Sequence, residues 1–479
     1  MRIMHVAAEC YPAAKAGGLG DVVGALPKYL ELAQQEAAVI IPGYHLQWIL
    51  KQSWTKVFSS SVRMNNLQVP FHVMQCKNDD LGYHLFSVDI PGLFDRNGIY
   101  SDAESGMPYD DEVERYIAFQ QSVLKFIQHI GGIDIIHCHD HHTGLIPFMI
   151  KYCPEYRSLA PIPTVFTIHN GQYHGAFSWE KSYLLPWYDA SARGLLDWNN
   201  TVNPLATAIK CCWRLTTVSN GYLQELQYNA NGLEVLLRQE RMKSTGIVNG
   251  IDSKVWDPET DPMIDFNVLD DVAEFKKRNK DKLHEHFTFN GDLPLITFIG
   301  RLVYEKGADL LPAAISKFLN EGGQASFVIL GTGDLGIRDS FLEMRPYFQN
   351  YFDTSISYNE GLSHQLYAGS DFIIMPSRVE PCGLNQLYAF RYGTLPIVRA
   401  TGGLAETVID ISESDGNGLK FNDLSIDTIC NSFHRAVGLY YLKDDFDRIR
   451  QRILHLDFSW ETAAKNYIHI YQTLKNPSV

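Results

Sequence analysis

The sequence predicts an α/β protein built of two doubly wound domains facing a cleft, each a parallel sheet with helices on both faces. Three observations carry this reading. Short apolar runs alternate with amphipathic segments along most of the chain. Polar residues recur at the C-terminal ends of the apolar runs, the edge of an open α/β sheet where ligands bind. The alternation breaks over residues 252–290 and then restarts. A chain of 479 residues is long enough for two or three domains of ordinary size.

The first domain opens with a strand over Arg2–Glu9. The turn Lys15-Ala16-Gly17-Gly18-Leu19-Gly20-Asp21 follows, and then a helical pattern of Val22, Val23, Ala25, Leu26, Tyr29 and Leu30. Strand, glycine-rich turn and helix form a geometry that lets backbone approach a phosphate, here with a cation, Lys15, in the turn. The glycine spacing is not that of a dinucleotide fingerprint. A strand over Ala37–Ile41 leads into a less regular, β-rich stretch over residues 50–110, then an amphipathic helix over Glu112–His129. Three further strands end in chemistry-bearing residues: Ile133–Cys138 in His139-Asp140-His141-His142, Thr164–Ile168 in His169-Asn170-Gly171, and Leu215–Val218 in Ser219-Asn220. Gly246–Val248 ends in Asn249-Gly250.

Between the domains, the charged helical segment Glu274–His286 reads as a solvated face or linker. In the second domain, strand Leu295–Ile299 leads to Gly300-Arg301 and Lys306. Strands over Phe327–Leu330, near Ser355, over Phe372–Met375 and over Leu395–Val398 follow, with Tyr358 after the second of these. Helical periodicity closes the chain over Trp460–Leu474.

The stretch Pro376-Ser377-Arg378-Val379-Glu380-Pro381-Cys382-Gly383-Leu384-Asn385 is a strand end, a turn with one carboxylate, and a helix start. Gly383 permits close approach of the backbone, and the amides of Leu384 and Asn385 head a helix, a position that favours anions. A lone carboxylate beside such amides suits a ligand that joins a sugar to a phosphate. Arg301, Lys306 and Lys15 supply positive charge of the kind that stabilises a departing diphosphate. Taken singly, Arg301 or Lys306 reads more readily as an ordinary surface cation, and Lys15 reads equally well as one.

The composition sets limits. The chain is 45% hydrophobic and 20% charged, with a formal net charge of -14. That balance disfavours general binding of nucleic acid or of an anionic membrane surface. No apolar run reaches the roughly 20 residues of a membrane span, and the N-terminal run is not that of a signal peptide. The eight cysteines form neither a disulfide framework nor a zinc pattern, which points to a reducing cytoplasm. His137, His139, His141 and His142 invite a metal reading, but no distant ligand pair completes a site by spacing, so no metal and no cofactor is expected.

Together these motifs resemble the bacterial glycogen synthase and plant starch synthase family. The resemblance rests on Lys15–Asp21, His139-Asp140, Thr167–Asn170, Asn249–Asp252, Gly300-Arg301 with Lys306-Gly307, Pro376–Leu384 and Thr401–Leu404, which run in the family's order. It implies two Rossmann-like domains of the GT-B type, over residues 1–250 and 251–458, and a C-terminal helix over 459–479 that packs back on the first. It implies metal-free transfer of glucose, with retention, from ADP-glucose (or UDP-glucose) to the non-reducing 4-hydroxyl of an α-1,4-glucan. Arg301 and Lys306 would bind the diphosphate, Glu380 the glucose hydroxyls, and His169 the 6-hydroxyl side of the sugar. Asp140 would sit near the acceptor and Asn249 near the sugar. Lys15 and Gly18 would meet phosphates or glucan, Tyr358 would stack on the base, and Gly383, Leu384 and Asn385 would face the phosphates.

The chain departs from the family pattern at Ala16, at His141, over Gly171–Gly175 and over Ser219–Tyr222. These positions put acceptor preference and turnover in question and keep open a small-acceptor transferase or a weakly active glucan-binding homologue. Many related retaining transferases carry a second Glu where Tyr388 stands, and its absence favours the synthase.

Overall fold

The computed structural model describes residues 1–267 and 271–475, so residues 476–479 of the expected C-terminal helix lie outside the described residues. The chain forms two compact units. Unit 1 comprises Met1–Val218, Leu223–Ile247 and the chain from Trp460 onward. Unit 2 comprises Ser219–Tyr222 and Val248–Ser459.

Unit 1 is organised on β1 (Arg2–Val6), β2 (Glu36–Pro42), β3 (Trp54–Met64), β4 (Leu67–Cys76), β5 (His84–Asp89), β6 (Ile135–His139) and β7 (Thr164–Ile168). A small hairpin, β8 (Asp197–Trp198) and β9 (Thr201–Val202), stands apart from the sheet that β10 (Arg214–Thr217) and β11 (Ser244–Gly246) complete. The sheet order is β11-β10-β7-β6-β1-β2-β5-β4-β3. All pairings are parallel except those of β3 with β4 and β4 with β5. The irregular stretch over residues 50–110 therefore supplies an antiparallel extension at one edge. Every residue of β6 and β7 is buried, as expected of parallel strands covered on both faces. Successive strands run one way from β1 and the other way from β6, so the topological switch lies between β1 and β6.

The helix Trp460–Lys475 belongs to unit 1. Its buried Trp460, Ala463, Ala464, Tyr467 and Tyr471 share a core cluster with Val22, Leu26 and Leu30 of the helix Gly18–Leu32 and with Ile3 and Ile135 of the sheet. Roughly 1.5–3 kcal/mol per large apolar side chain buried holds that helix in place.

Unit 2 carries six parallel strands: β12 (Leu295–Ile299), β13 (Ser326–Leu330), β14 (Phe352–Ser355), β15 (Phe372–Met375), β16 (Leu395–Arg399) and β17 (Leu419–Phe421). Their order is β14-β13-β12-β15-β16-β17, the Rossmann arrangement, with the switch between β12 and β15. Each unit is thus a doubly wound α/β sheet.

The structure corrects the reading of the charged segment Glu274–His286. The helix Val272–Lys282 buries Phe275, Lys276, Asn279 and Lys280. Lys276 Nζ donates to the carbonyls of Tyr367 and Tyr392 and to Thr394 Oγ1. Lys280 Nζ donates to Leu293 O and to Asp371 Oδ2 at 2.9 Å, and Asp371 also receives Arg450. Two of the helix's lysines are interior anchors, because carbonyl ends and a buried carboxylate satisfy them there.

Candidate active site

In unit 2 the two strands at the switch deliver the predicted residues. Gly300 and Arg301 follow β12, and the segment 376–385 follows β15. Glu380 is buried, and its carboxylate receives Lys306 Nζ at 2.8 Å on each oxygen and Ser377 Oγ at 2.8 Å. A carboxylate removed from water in this way needs such charged and hydroxyl partners. Arg301 is free of that cluster. Its side chain is 65% exposed and approaches only Glu305, at 3.8 Å, among the ion pairs of the described residues.

Three glycines hold the Glu380 segment in place. A Cβ at Gly307 would lie 2.0 Å from the carbonyl of Pro376, and Gly307 has φ +68°. At Gly403 a Cβ would lie 2.0 Å from the carbonyl of Cys382, and Gly403 N donates to Glu380 O at 3.0 Å. Gly402 makes the third contact, on the carbonyl of Glu380 itself. Gly383 turns the chain at φ +73° into the helix Asn385–Arg391, and Asn385 Nδ2 ties that helix to the end of β12 by donating to Ile299 O at 2.6 Å. Leu384 is the residue before that helix.

Asn249 is buried, and its Oδ1 has no partner among the described residues. Its backbone amide reaches the Cys382 sulfur, two residues from Glu380. Burial is the main reason the Cys382 thiol is pushed up to about 12. Ser219, which sequence order assigns to the first domain, belongs to unit 2 and donates through Oγ to Pro381 O at 2.6 Å. Tyr358 is 85% exposed, a flat ring open to a stacking partner.

In unit 1 the switch delivers a second set. Glu9, just past β1, is buried and accepts from the amides of Ala16 and Gly17 at 2.6 and 2.8 Å and from Tyr100 OH at 2.6 Å. It is the buttress of the glycine-rich turn. Lys15 reaches Asp21 at 2.6 Å with both side chains partly exposed, a pair that solvent screens. A Cβ at Gly17 or Gly18 would meet nothing within 4 Å, so no protein atom demands glycine there.

Asp140 follows β6 with φ +56° and ψ 175°, a conformation rare outside glycine and concentrated at functional sites. Its Oδ1 accepts the amide of His169 at 2.7 Å and that of Asn170 at 3.5 Å, and Asp140 N donates to Thr167 O. Burial pushes the Asp140 carboxyl up to about 7, against those amides and the neighbouring His141. His169 Nε2 lies 3.0 Å from His139 Nδ1, and burial pushes its pKa down to about 3, so the ring is neutral. Of the histidines that suggested a metal, His137 and His139 are engaged with other histidines and with hydroxyls, whereas His141 and His142 face Glu112 and each leave Nδ1 without a partner among the described residues. His137 binds Tyr471 OH and Thr167 Oγ1, each at 2.7 Å, and His139 binds both His5 and His169. At the departure position, His141 has a local acid partner, Glu112, at 3.5 Å.

Sequence reasoning missed the supporting residues Glu9, Tyr100, Ser377 and Arg399. Arg399 Nη1 donates to the carbonyls of Ser377 and Arg378. Only Ser377 lay inside a conspicuous motif. Glu9 and Arg399 act through backbone groups that chain order does not reveal, and Tyr100 acts through the Glu9 carboxylate.

The starch synthase catalytic domain family matches residues 2–239, and the glycosyl transferases group 1 family matches 279–433. A glycogen synthase from Flavobacterium johnsoniae is 46% identical over 477 residues, 99% of each chain. The chain belongs to the glycogen synthase family. A glycogen synthase from Alkaliphilus metalliredigens is 35% identical over 99% of this chain and 100% of its own. Among solved structures, the catalytic domain of starch synthase IV from Arabidopsis thaliana, bound to ADP and acarbose, superposes with a TM-score of 0.85 at 29% identity, covering 99% of both chains. Sucrose-phosphate synthase from Thermosynechococcus elongatus, 16% identical with a TM-score of 0.64, shares the fold. This member of the glycogen synthase family is therefore a glycosyltransferase of the GT-B type. No helix among the described residues is long and apolar enough to cross a membrane.

Proposed function

We propose that this glycogen synthase relative transfers glucose from ADP-glucose to the non-reducing 4-hydroxyl of an α-1,4-glucan, with retention and without a metal ion. The observation that carries the proposal is the Glu380–Lys306–Ser377 cluster at the switch of a Rossmann sheet, where nucleotide ligands bind. Lys306 and the exposed Arg301 take up the charge that develops on the departing diphosphate, which is the largest single contribution such a site can make. Gly383 and the amides of Leu384 and Asn385 contact the phosphates. Glu380 accepts hydrogen bonds from glucose hydroxyls, and Asn249 turns its unpartnered Oδ1 to the same sugar.

Unit 1 carries candidate groups of its own. His169, neutral and ordered by its neighbours, meets the 6-hydroxyl side of the glucose. Asp140 lies at the acceptor, and Lys15 and Gly18 meet phosphate or glucan through a turn that leaves room beside both glycines. In unit 2, the exposed Tyr358 ring stacks on the base. The ADP preference follows the starch synthase structure bound to ADP, at 29% identity over the full chain. A cytoplasmic setting fits eight free, buried cysteines.

Labelled ADP-glucose and UDP-glucose are each incubated with the protein and glycogen, and label is measured in precipitable glucan. Incorporation from ADP-glucose, lost in Glu380→Ala, is the expected result. Background from both donors, with a small sugar glucosylated instead, would replace the glucan acceptor with a small one.

A further inference from the structure

His5, His139 and His169 form an unbroken row of imidazoles in unit 1. His5 Nδ1 lies 3.1 Å from His139 Nε2, and His139 Nδ1 lies 3.0 Å from His169 Nε2. The sheet register builds this row. His5 on β1 is paired with His137 on β6, and His139 is paired with Thr167 on β7, two residues before His169. Alternation along β6 sends His137 and His139 to one face, so the rings stack, with centroids 4.2 Å apart between those two and 5.4 Å between His5 and His139. His137 stays outside the row because Tyr471 and Thr167 occupy both of its nitrogens.

Burial holds all three rings of the row in the neutral form. A neutral imidazole carries one N–H and one bare nitrogen, so a row of three has a direction. Running inward, His169 and His139 would donate through Nε2, and His5 would be left with an N–H on Nε2. That atom is buried and has no partner among the described residues. Running outward, His5 donates through Nδ1 to His139, His139 donates through Nδ1 to His169, and the orphan at His5 is only a lone pair. Orphaned buried donors are rarer than under-satisfied acceptors. The outward direction ends with the proton on His169 Nδ1, which has no partner among the described residues.

We propose that His5 and His139 are positioning residues that hold His169 as the Nδ1–H tautomer, so that it presents a hydrogen-bond donor to the 6-hydroxyl side of the donor glucose. The sugar contact rests on the reading of His169 given above, whereas the tautomer rests on the row alone. A second nitrogen's partner commonly sets which nitrogen of a functional histidine is protonated. The row extends that control one ring deeper, to a residue that touches no substrate.

The test is long-range proton–nitrogen correlation on protein labelled with 15N-histidine, paired with steady-state kinetics. In the wild type the His169 pattern is expected to be that of an Nδ1–H ring. His5→Leu removes the donor behind His139, and the His169 pattern is expected to become mixed, with kcat down about 10–100-fold and KM for the nucleotide sugar little changed. His5→Asn, whose amide nitrogen replaces Nδ1, is expected to restore both. A wild-type spectrum with the proton on His169 Nε2 overturns the proposal, and so does an unchanged His169 pattern in a folded His5→Leu protein. If His5→Leu does not fold, the wild-type spectrum decides alone. An Nδ1–H His169 in a protein that incorporates no label into glucan supports the row and rejects the synthase reading instead.

Discussion

The side chain that Gly402 lacks would press on Glu380, because a Cβ there would lie 2.1 Å from the Glu380 carbonyl oxygen, and Gly402 already sits at φ +46°. Backbone on backbone at that distance has no flexible partner to yield. The glycine thereby fixes where the Glu380 chain runs.

Gly402→Ala is therefore expected to destabilise unit 2 by about 2–4 kcal/mol, combining the left-handed backbone with the clash. Glucan synthesis should fall further than stability explains, because the shift moves Glu380 first. Denaturant midpoints and labelled glucan yield measure the two effects. A variant as stable as the wild type would refute the contact.

Gly18 makes the opposite case. A Cβ at Gly18 meets nothing within 4 Å and Gly18 opens a helix, so Gly18→Ala should leave stability within about 0.5 kcal/mol of the wild type. If the open space belongs to a ligand, the KM for nucleotide sugar or for glucan should rise about tenfold, the equivalent of 1.4 kcal/mol of lost contact. An unchanged KM for both substrates would mean that the turn is only a helix entry.

Strand-and-turn punctuation in the sequence carries most of the fold. Glycine and polar residues at strand ends mark the sheet edges, and the restart after residue 290 marks the second sheet. What the sequence hid is side-chain direction. Lys276 and Lys280 look like part of a solvated charge run, yet both point inward to backbone carbonyls and Asp371. The buttress Glu9 is equally silent, because its partners are the amides of Ala16 and Gly17 rather than a side chain of matching charge. The candidate site was legible where a motif carries its own chemistry, as at Glu380. It was illegible where register decides, as with His5 opposite His137.

The buried charge cluster has its own consequence. Burial alone would push the Asp371 carboxyl up, but Lys280 and Arg450 overcome it and hold the carboxyl well below its usual range. Its stabilising contribution is present above the unfolded carboxylate pKa and is lost as pH falls through the folded one. Lys280→Met should cost about 3–5 kcal/mol at neutral pH, because Asp371 keeps a buried charge with one partner fewer. Thermal unfolding at pH 7 measures the loss. A midpoint within a degree of the wild type would show that the lysine is dispensable.

Asp140 titrates with the reverse sign. Folded, it holds its proton up to about pH 7, whereas in the unfolded chain an aspartate gives it up near the ordinary 3.8. The native state binds the extra proton between about pH 4 and 7, so its stability falls as pH rises through that window, by up to about 1.4 kcal/mol per unit. Asp140→Asn keeps an oxygen for the amides of His169 and Asn170 and removes the titration. Its stability relative to the wild type should therefore improve from pH 4 to 7 and level off above. Parallel urea profiles across that range would contradict the raised pKa.

The pair at the centre of the site separates charge balance from chemistry. Lys306→Ala leaves the buried Glu380 carboxyl bound, among the described residues, by Ser377 alone, with Lys306 Nζ gone from both oxygens. Stability should drop by about 1–3 kcal/mol, and kcat should drop about 10²–10³-fold, as for loss of one strong donor to developing charge. Adding Glu380→Gln to Lys306→Ala neutralises the stranded carboxylate. The double variant should recover most of the stability, and the coupling between the two changes measures the pair. Turnover should not recover, because the diphosphate still lacks its cation and the glucose its carboxylate. Return of activity along with stability would mean that Lys306 only balances a buried charge, and the diphosphate role would pass to Arg301 alone.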